Sequence, residues 1–221
     1  MSIYELKPRF QALLRPSVVR LHARGVTANQ VTLAACGVSV ALGLWLFFAA
    51  PPPTAFALVP LWMLLRMALN AIDGMLANAT GQKTRLGALL NEICDQIADV
   101  ALYLPFALVA PLGGFWVGTV IVLAGLSEFA GALGPTVGAS RRYDGPLGKS
   151  DRAFVFGALG LWVALGWPLA DWTRGLMPLL AALVAWTVVN RVRKALAEAA
   201  PATPGATTHA TIEQETPTGI E

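Results

Sequence analysis

NAIDGMLANATGQKTRLGALLNEICDQIAD, Asn70 to Asp99, sets Asp73, Glu92, Asp95 and Asp99, interleaved with Asn70, Asn78 and Asn91, between stretches that otherwise read as membrane-buried. The chain around it is 56% hydrophobic and 13% charged, with a mean hydropathy of +0.60. Lipid rather than water is therefore its main solvent. A helix needs about 20 apolar residues to cross about 30 Å of hydrocarbon, and six runs supply them: 29–50, 54–76, 88–110, 113–138, 153–170 and 175–192. They predict an all-α integral membrane protein with six transmembrane helices. The first 25 residues carry five Lys or Arg and no long apolar stretch, so they do not read as a cleavable signal.

Basic residues orient the spans. Lys7, Arg9, Arg15, Arg20 and Arg24 precede the first; Lys83 and Arg85 separate the second and third; Arg141, Arg142 and Lys149 separate the fourth and fifth; Arg191, Arg193 and Lys194 end the sixth. Six crossings put all of these on one side, and the opposite loops contribute only Arg174. Both termini and the 78–87 and 139–152 loops are thus expected in the cytoplasm. The net charge of +3 then reports topology, and nucleic acid is not an expected partner.

Three regions follow. Residues 1–25 alternate basic positions with Phe10, Leu13, Leu14, Val18, Val19 and Leu21, which suits an amphipathic helix in the headgroup plane, although Pro8 and Pro16 would break or bend it. Residues 26–198 form the transmembrane domain, opened by Thr27, whose hydroxyl can cap the first span. Residues 199–221 hold only Ile212 and Ile220 as large apolar side chains and predict a disordered cytoplasmic tail, with His209 solvated in it. Cys36 and Cys94 both fall in spans and read as buried thiols; a disulfide framework or zinc site needs more Cys or His at tighter spacing.

Helical spacing gathers the polar residues. Asn70 and Asp73 are three apart at the end of the second span, and Asn91, Asp95 and Asp99 are four apart on one face of the third, so each set stacks along its helix. The connecting turn, with Asn78 and Gly81, would hold the two helices antiparallel and let their polar faces meet near the cytoplasmic surface. Carboxylates in hydrocarbon are costly unless partnered, and mark function by default. Oxygen donors without His or Cys point to Mg²⁺ or Mn²⁺, ions usually bound by one or two carboxylates together with substrate phosphates. The expected ligand is a phosphate or pyrophosphate compound reaching the membrane from the cytoplasm. Polar side chains that merely join helices are the plainer reading of any one Asn; seven Asp, Glu and Asn around one turn favour a site.

The spacing N70-AI-D73-G74-ML-A77-N78, eight residues, G87-ALL-N91-EIC-D95 resembles the signature of the CDP-alcohol phosphatidyltransferase family, and looks nearest to a bacterial branch of it. The amphipathic start, the entry with Thr27, Asn29 and Thr32, and the six spans are similar too. Three positions depart: Asn70 and Asn91 stand for carboxylates and Asn78 for an arginine. An amide oxygen ligates a hard cation without adding charge, which puts a second metal ion in doubt.

The resemblance implies a metal-assisted transfer of a phosphatidyl group from CDP-diacylglycerol to an alcohol or polyol phosphate, with release of CMP. It implies metal ligands Asn70, Asp73, Asn91 and Asp95, with Asp95 as general base. It places the CDP moiety against Asn29, Thr32, Gly74, Ala77, Asn78, Arg85 and Gly87. It also implies a homodimer packed through the third and fourth spans, in a bacterial inner membrane with the active site facing the cytoplasm. In ASRRYDGPLGKSDRAF, residues 139–154, basic side chains are either a topology signal or phosphate binders. GPLGKSDR resembles members that use phosphorylated polyols, which makes Arg141, Arg142, Lys149, Arg152 and Arg191 candidate acceptor-binding residues. Arg66 and Glu128 lie inside spans, where Arg66 is expected to reach substrate phosphates, to replace the missing guanidinium at Asn78, or to pair with Glu128. Two rival readings remain at this stage: a catalytically impaired relative that binds CDP-lipid or partner proteins, and a transporter or channel.

Overall fold

The computed structural model describes residues 3–81 and 83–200, and among them every regular element is helical. The helices are α1 (Ile3–Ala23), α2 (Ala28–Phe48), α3 (Leu58–Ala79), α4 (Arg85–Tyr103), α5 (Gly114–Ala132), α6 (Lys149–Ala164) and α7 (Leu176–Ala199). Short 3-10 turns precede α3 and α7 and follow α4 and α5. Residues 201–221, most of the expected tail, lie outside the described residues.

Local chemistry sets the helix starts. Thr27 caps α2: its hydroxyl accepts the Gln30 amide at 3.3 Å, and the Gln30 side chain accepts the Thr27 amide at 2.9 Å. Thr84 caps α4 by accepting the Gly87 amide at 2.9 Å. The helix α1 runs unbroken through Pro8 and Pro16, where the sequence predicts a break or a bend. Each proline costs one backbone hydrogen bond, and Ala12, whose carbonyl Pro16 leaves unpaired, is exposed, where water can take that bond.

Packing runs α2 along α4 and α5 along α7, with α3 touching α1, α2 and α6. Glycine permits the closest approaches. A Cβ on Gly43 would stand 2.1 Å from the Ala101 carbonyl oxygen, so α2 and α4 meet backbone to backbone there. The core joins Leu46, Val59, Leu102, Val117, Met177 and Val184 around stacked Tyr103 and Phe156, whose ring centroids are 4.0 Å apart. Outward faces are also apolar: Leu61, Leu64, Phe115, Val122, Phe129 and Trp186 are exposed. Apolar surface this extensive belongs in lipid.

Four helical segments are long and apolar enough to cross a membrane: Ala28–Phe48, Pro53–Ala79, Gly114–Ala132 and Asp171–Ala199. The chain is thus an all-helical, multi-pass membrane protein. The other two expected spans do not qualify on length and composition, for physical reasons. In α4, Arg85, Glu92, Asp95 and Asp99 sit within 19 residues, and α6 has only 16.

Candidate functional site

The site forms where α3 and α4 face each other, with α2 behind and α6 in front. On α3, Asp73 is buried and its Oδ2 accepts a 2.7 Å hydrogen bond from the Thr32 hydroxyl of α2. One turn earlier, the Asn70 amide donates to Asp95 Oδ1 of α4 at 3.1 Å. Another turn earlier, Arg66 reaches Asp95 Oδ1 at 2.9 Å and Asp99 Oδ1 at 2.5 Å, and also bonds the Asp95 carbonyl at 3.0 Å. From α6, Lys149 pairs with the other oxygen of Asp95. Asp95 is therefore gripped by two cations and an amide. Asp99 is almost wholly buried, and its second oxygen has no partner.

These side chains end a groove of about 780 Å³ between α3 and α6. Arg66, Asn70, Asp99, Lys149 and Ser150 line its polar end; Pro60, Met63, Leu64, Phe154, Gly157 and Leu161 line the rest. Gly157 lies on the groove floor, where an added Cβ would make ordinary contact with Met63 and Pro60 at 3.7 Å. On the opposite flank Gly74 is exposed and a Cβ on it would meet nothing within 4 Å, so open space adjoins Asp73. Gly87 lies against Asn29, whose Oδ1 would stand 2.9 Å from an added Cβ. Asn29, Thr32, Asp73 and Gly87 are thus brought to one edge by α2, α3 and α4. Ala77 is half-buried, and Asn78 and Arg85 are exposed near the α3–α4 turn. Asn91 is half-buried on α4, one turn before Asp95.

Of the predicted ligands only Asp73 and Asp95 bring charge, and Asp95 is already paired with Arg66 and Lys149. Among the described residues no three His, Cys, Asp or Glu side chains form a metal group. A site here has to enlist the amide oxygens of Asn70 and Asn91 beside Asp73 and Asp95. The open space at Gly74, beside Asp73, leaves room for an ion and a phosphate.

The five predicted acceptor-binding residues are all engaged. Arg141 pairs with Glu92 at 2.7 Å and lies 5.1 Å over the Tyr143 ring. Arg142 holds Asp144 at 2.8 Å and also Glu198, and Lys194 holds Asp144 at 2.7 Å. Lys194, and secondarily Arg142, keep the Asp144 carboxyl below the usual carboxylate range. Arg152 and Arg191, 1% and 2% exposed, both pair with Glu128, at 2.9 and 3.2 Å. Arg66 therefore pairs with neither Glu128 nor the region of Asn78, which lies about 18 Å further along α3. Its carboxylate partners on α4 are the feature sequence reading missed. The available signal was an Arg one turn before Asn70 and an Asp one turn after Asp95.

Comparison with known proteins is consistent along the chain. The profile of the CDP-alcohol phosphatidyltransferase family matches residues 25–192. Inner membrane protein YnbA of Escherichia coli (strain K12) is 46% identical over 196 residues, which is 89% of this chain and 97% of that protein. Phosphatidylinositol phosphate synthase of Corynebacterium glutamicum is 32% identical over 103 residues, 47% of this chain and 45% of that enzyme. Among solved structures, Mycobacterium tuberculosis phosphatidylinositol phosphate synthase (PgsA1) in complex with manganese and citrate superposes with a TM-score of 0.68 at 25% identity, covering 82% of this chain and 88% of that one. The same enzyme with CDP-DAG bound gives 0.67 at 24% identity, over 81% and 92% of the two chains, a likeness of fold.

Proposed function

The chain belongs to the CDP-alcohol phosphatidyltransferase family, and from that premise we propose that it transfers a phosphatidyl group from CDP-diacylglycerol to an alcohol, releasing CMP. The observation that carries this reading is the groove between α3 and α6, charged at one end and apolar along the rest. Its shape and chemistry suit an amphiphile whose phosphates meet Asn70, Lys149 and Arg66 while its acyl chains lie along Met63, Leu64, Phe154 and Leu161.

Asp73, Asn70, Asn91 and Asp95 would hold a Mg²⁺ or Mn²⁺ ion, and such an ion supplies charge neutralisation at the diphosphate. The chain's own residues do the rest. Open space at Gly74, beside Asn29 and Gly87, accommodates the cytidine. In the resting chain Lys149 holds Asp95; being the most exposed member of the cluster, it can turn to the diphosphate and release one oxygen of Asp95. That oxygen accepts the proton of the alcohol hydroxyl. The alcohol oxygen then bonds to the phosphorus that carries diacylglycerol, and the bond from that phosphorus to CMP breaks. Arg66 keeps the other Asp95 oxygen aimed across the cleft.

The reading further places α4 and α6 as the remaining two crossings, with the α4 charges turned inward and the basic loops and both termini in the cytoplasm. It also includes a homodimer packed through α4 and α5, whose Ile93, Ile97, Val122 and Phe129 are exposed in the single chain. The rival, a CDP-lipid binder without turnover, draws on the double pairing of Asp95. Purified protein with CDP-diacylglycerol, a panel of alcohols and Mn²⁺ or Mg²⁺ separates them. Turnover predicts metal-dependent CMP release that Asp95→Asn lowers by about 10²- to 10⁴-fold. Retained CDP-lipid binding with no CMP from any alcohol would refute transfer and favour the binder.

A further inference from the structure

Five basic side chains surround the cytoplasmic mouth of the site, and a phosphate-bearing acceptor would need some of them uncommitted. The two that lie deepest are not. Arg152 and Arg191 are all but inaccessible, and between them sits Glu128, 5% exposed on α5. Its Oε1 accepts from Arg152 at 2.9 Å and its Oε2 pairs with Arg191 at 3.2 Å. Most of the remaining donors of both groups are spent as well, the buried Arg152 Nε–H alone having no partner among those of Arg152. Arg152 also bonds the Ser127 hydroxyl and the Leu147 carbonyl, both at 3.3 Å. Arg191 also bonds the Ser127 carbonyl at 2.5 Å and the Asp144 carbonyl at 3.3 Å.

This cluster adjoins the reacting centre. Lys149 and Arg152 are three residues apart on α6, so they share a face, and Lys149 is the residue that reaches Asp95. An acceptor whose hydroxyl is presented to Asp95 therefore has the Glu128 cluster as its next neighbour. A phosphomonoester brings about 1.5 to 2 negative charges at neutral pH. At that cluster it would meet a carboxylate already occupying the fork of two guanidinium groups. Removing those groups from Glu128 would strand a buried charge, which is strongly unfavourable.

We propose that Glu128 is the specificity-determining residue of this site: it occupies the guanidinium pair of Arg152 and Arg191 and so restricts the acceptor to alcohols and polyols that carry no phosphate. The proposal rests on the phosphatidyl-transfer reading for its substrate, but the exclusion of phosphate is a property of the cluster and can be measured without turnover. It narrows the polyol phosphates suggested by GPLGKSDR to unphosphorylated counterparts.

The test uses the full-length protein in detergent, with CDP-diacylglycerol and Mg²⁺. Matched acceptors are compared by CMP release: glycerol against glycerol 3-phosphate, and inositol against inositol 1-phosphate. The unphosphorylated member of at least one pair is expected to be used with a kcat/KM at least about tenfold higher. In parallel, calorimetric titration with glycerol 3-phosphate is expected to show no saturable binding to the wild-type protein and gained binding in Glu128→Gln. Glu128→Asp, which keeps the charge, is expected to go on excluding it. Equal or better use of the phosphorylated acceptor by the wild-type protein, or its saturable binding there, overturns the proposal. So does a folded Glu128→Gln protein that gains neither use nor binding. If no acceptor releases CMP the transfer reading fails, and the titration of the wild-type protein still decides whether phosphate is excluded.

Discussion

Replacing Arg66 with methionine keeps the volume and apolar stem of the side chain but withdraws the guanidinium that joins α3 to α4. The structure sets the size of the effect. Arg66 is 7% exposed and bonds Asp95 at 2.9 Å and Asp99 at 2.5 Å. Lys149 still holds the other oxygen of Asp95, so the loss falls on Asp99, which is 4% exposed and has no other partner for its carboxylate. Breaking a buried pair by removing one member costs about 3–5 kcal/mol. At about 2–4 °C per kcal/mol for a chain of this size, the melting temperature should fall by about 6–20 °C. Thermal unfolding in detergent, followed by the reaction of the buried Cys94 thiol with a fluorogenic maleimide, reports it. Because the cost is a stranded charge, Asp99→Leu introduced into the Arg66→Met protein should restore most of the loss, with a coupling of about 2 kcal/mol or more. An Arg66→Met protein that melts within about 2 °C of the wild type would refute the reasoning, as would a double variant less stable than either single one.

Further outcomes follow from packing and from charge. Gly43→Ala puts a Cβ 2.1 Å from the Ala101 carbonyl oxygen and should destabilise by about 1–3 kcal/mol or more. Gly118→Ala, which meets nothing within 4 Å, should be neutral or stabilising by up to about 1 kcal/mol; the same thermal assay compares them. Asp144 has a folded-state pKa depressed by Lys194 and Arg142. The sign is therefore that its hold on the 139–148 loop is complete at neutral pH and is lost as pH falls through that depressed value, below the usual Asp range. Hydrogen exchange of the loop amides, corrected for intrinsic rate, should accelerate only at strongly acid pH in the wild-type protein and already at neutral pH in Asp144→Asn.

Much of this was legible before any coordinates. Thr27 marks its helix start by local chemistry, and spacing alone places Asn70 with Asp73 and Asn91 with Asp95. The convergence of Asn70 on Asp95 follows from the short antiparallel connection. What was not legible depends on how each helix is rotated about its own axis. Glu92 turns to Arg141 rather than into the cleft. Glu128, a single carboxylate in a long apolar helix, takes Arg152 and Arg191 from 24 and 63 residues away. Arg66 takes Asp99, 33 residues on. Spacing within a helix cannot choose among partners on other helices, since several cations compete for each buried acid and only packing decides. The crossing number is hard to read for a related reason: Asp95 and Asp99 make α4 polar by composition, yet both are paired inside the protein with Arg66 and Lys149.

The exposure of Leu64, Phe154 and Leu161 along the α3–α6 groove has one further consequence for the transfer we propose. A double-tailed donor would enter it from its own leaflet, its tails exchanging neighbouring lipids for those side chains. Supply then scales with the mole fraction of donor in the bilayer rather than with any bulk aqueous concentration, and surface dilution with inert lipid should slow the reaction even at constant total donor.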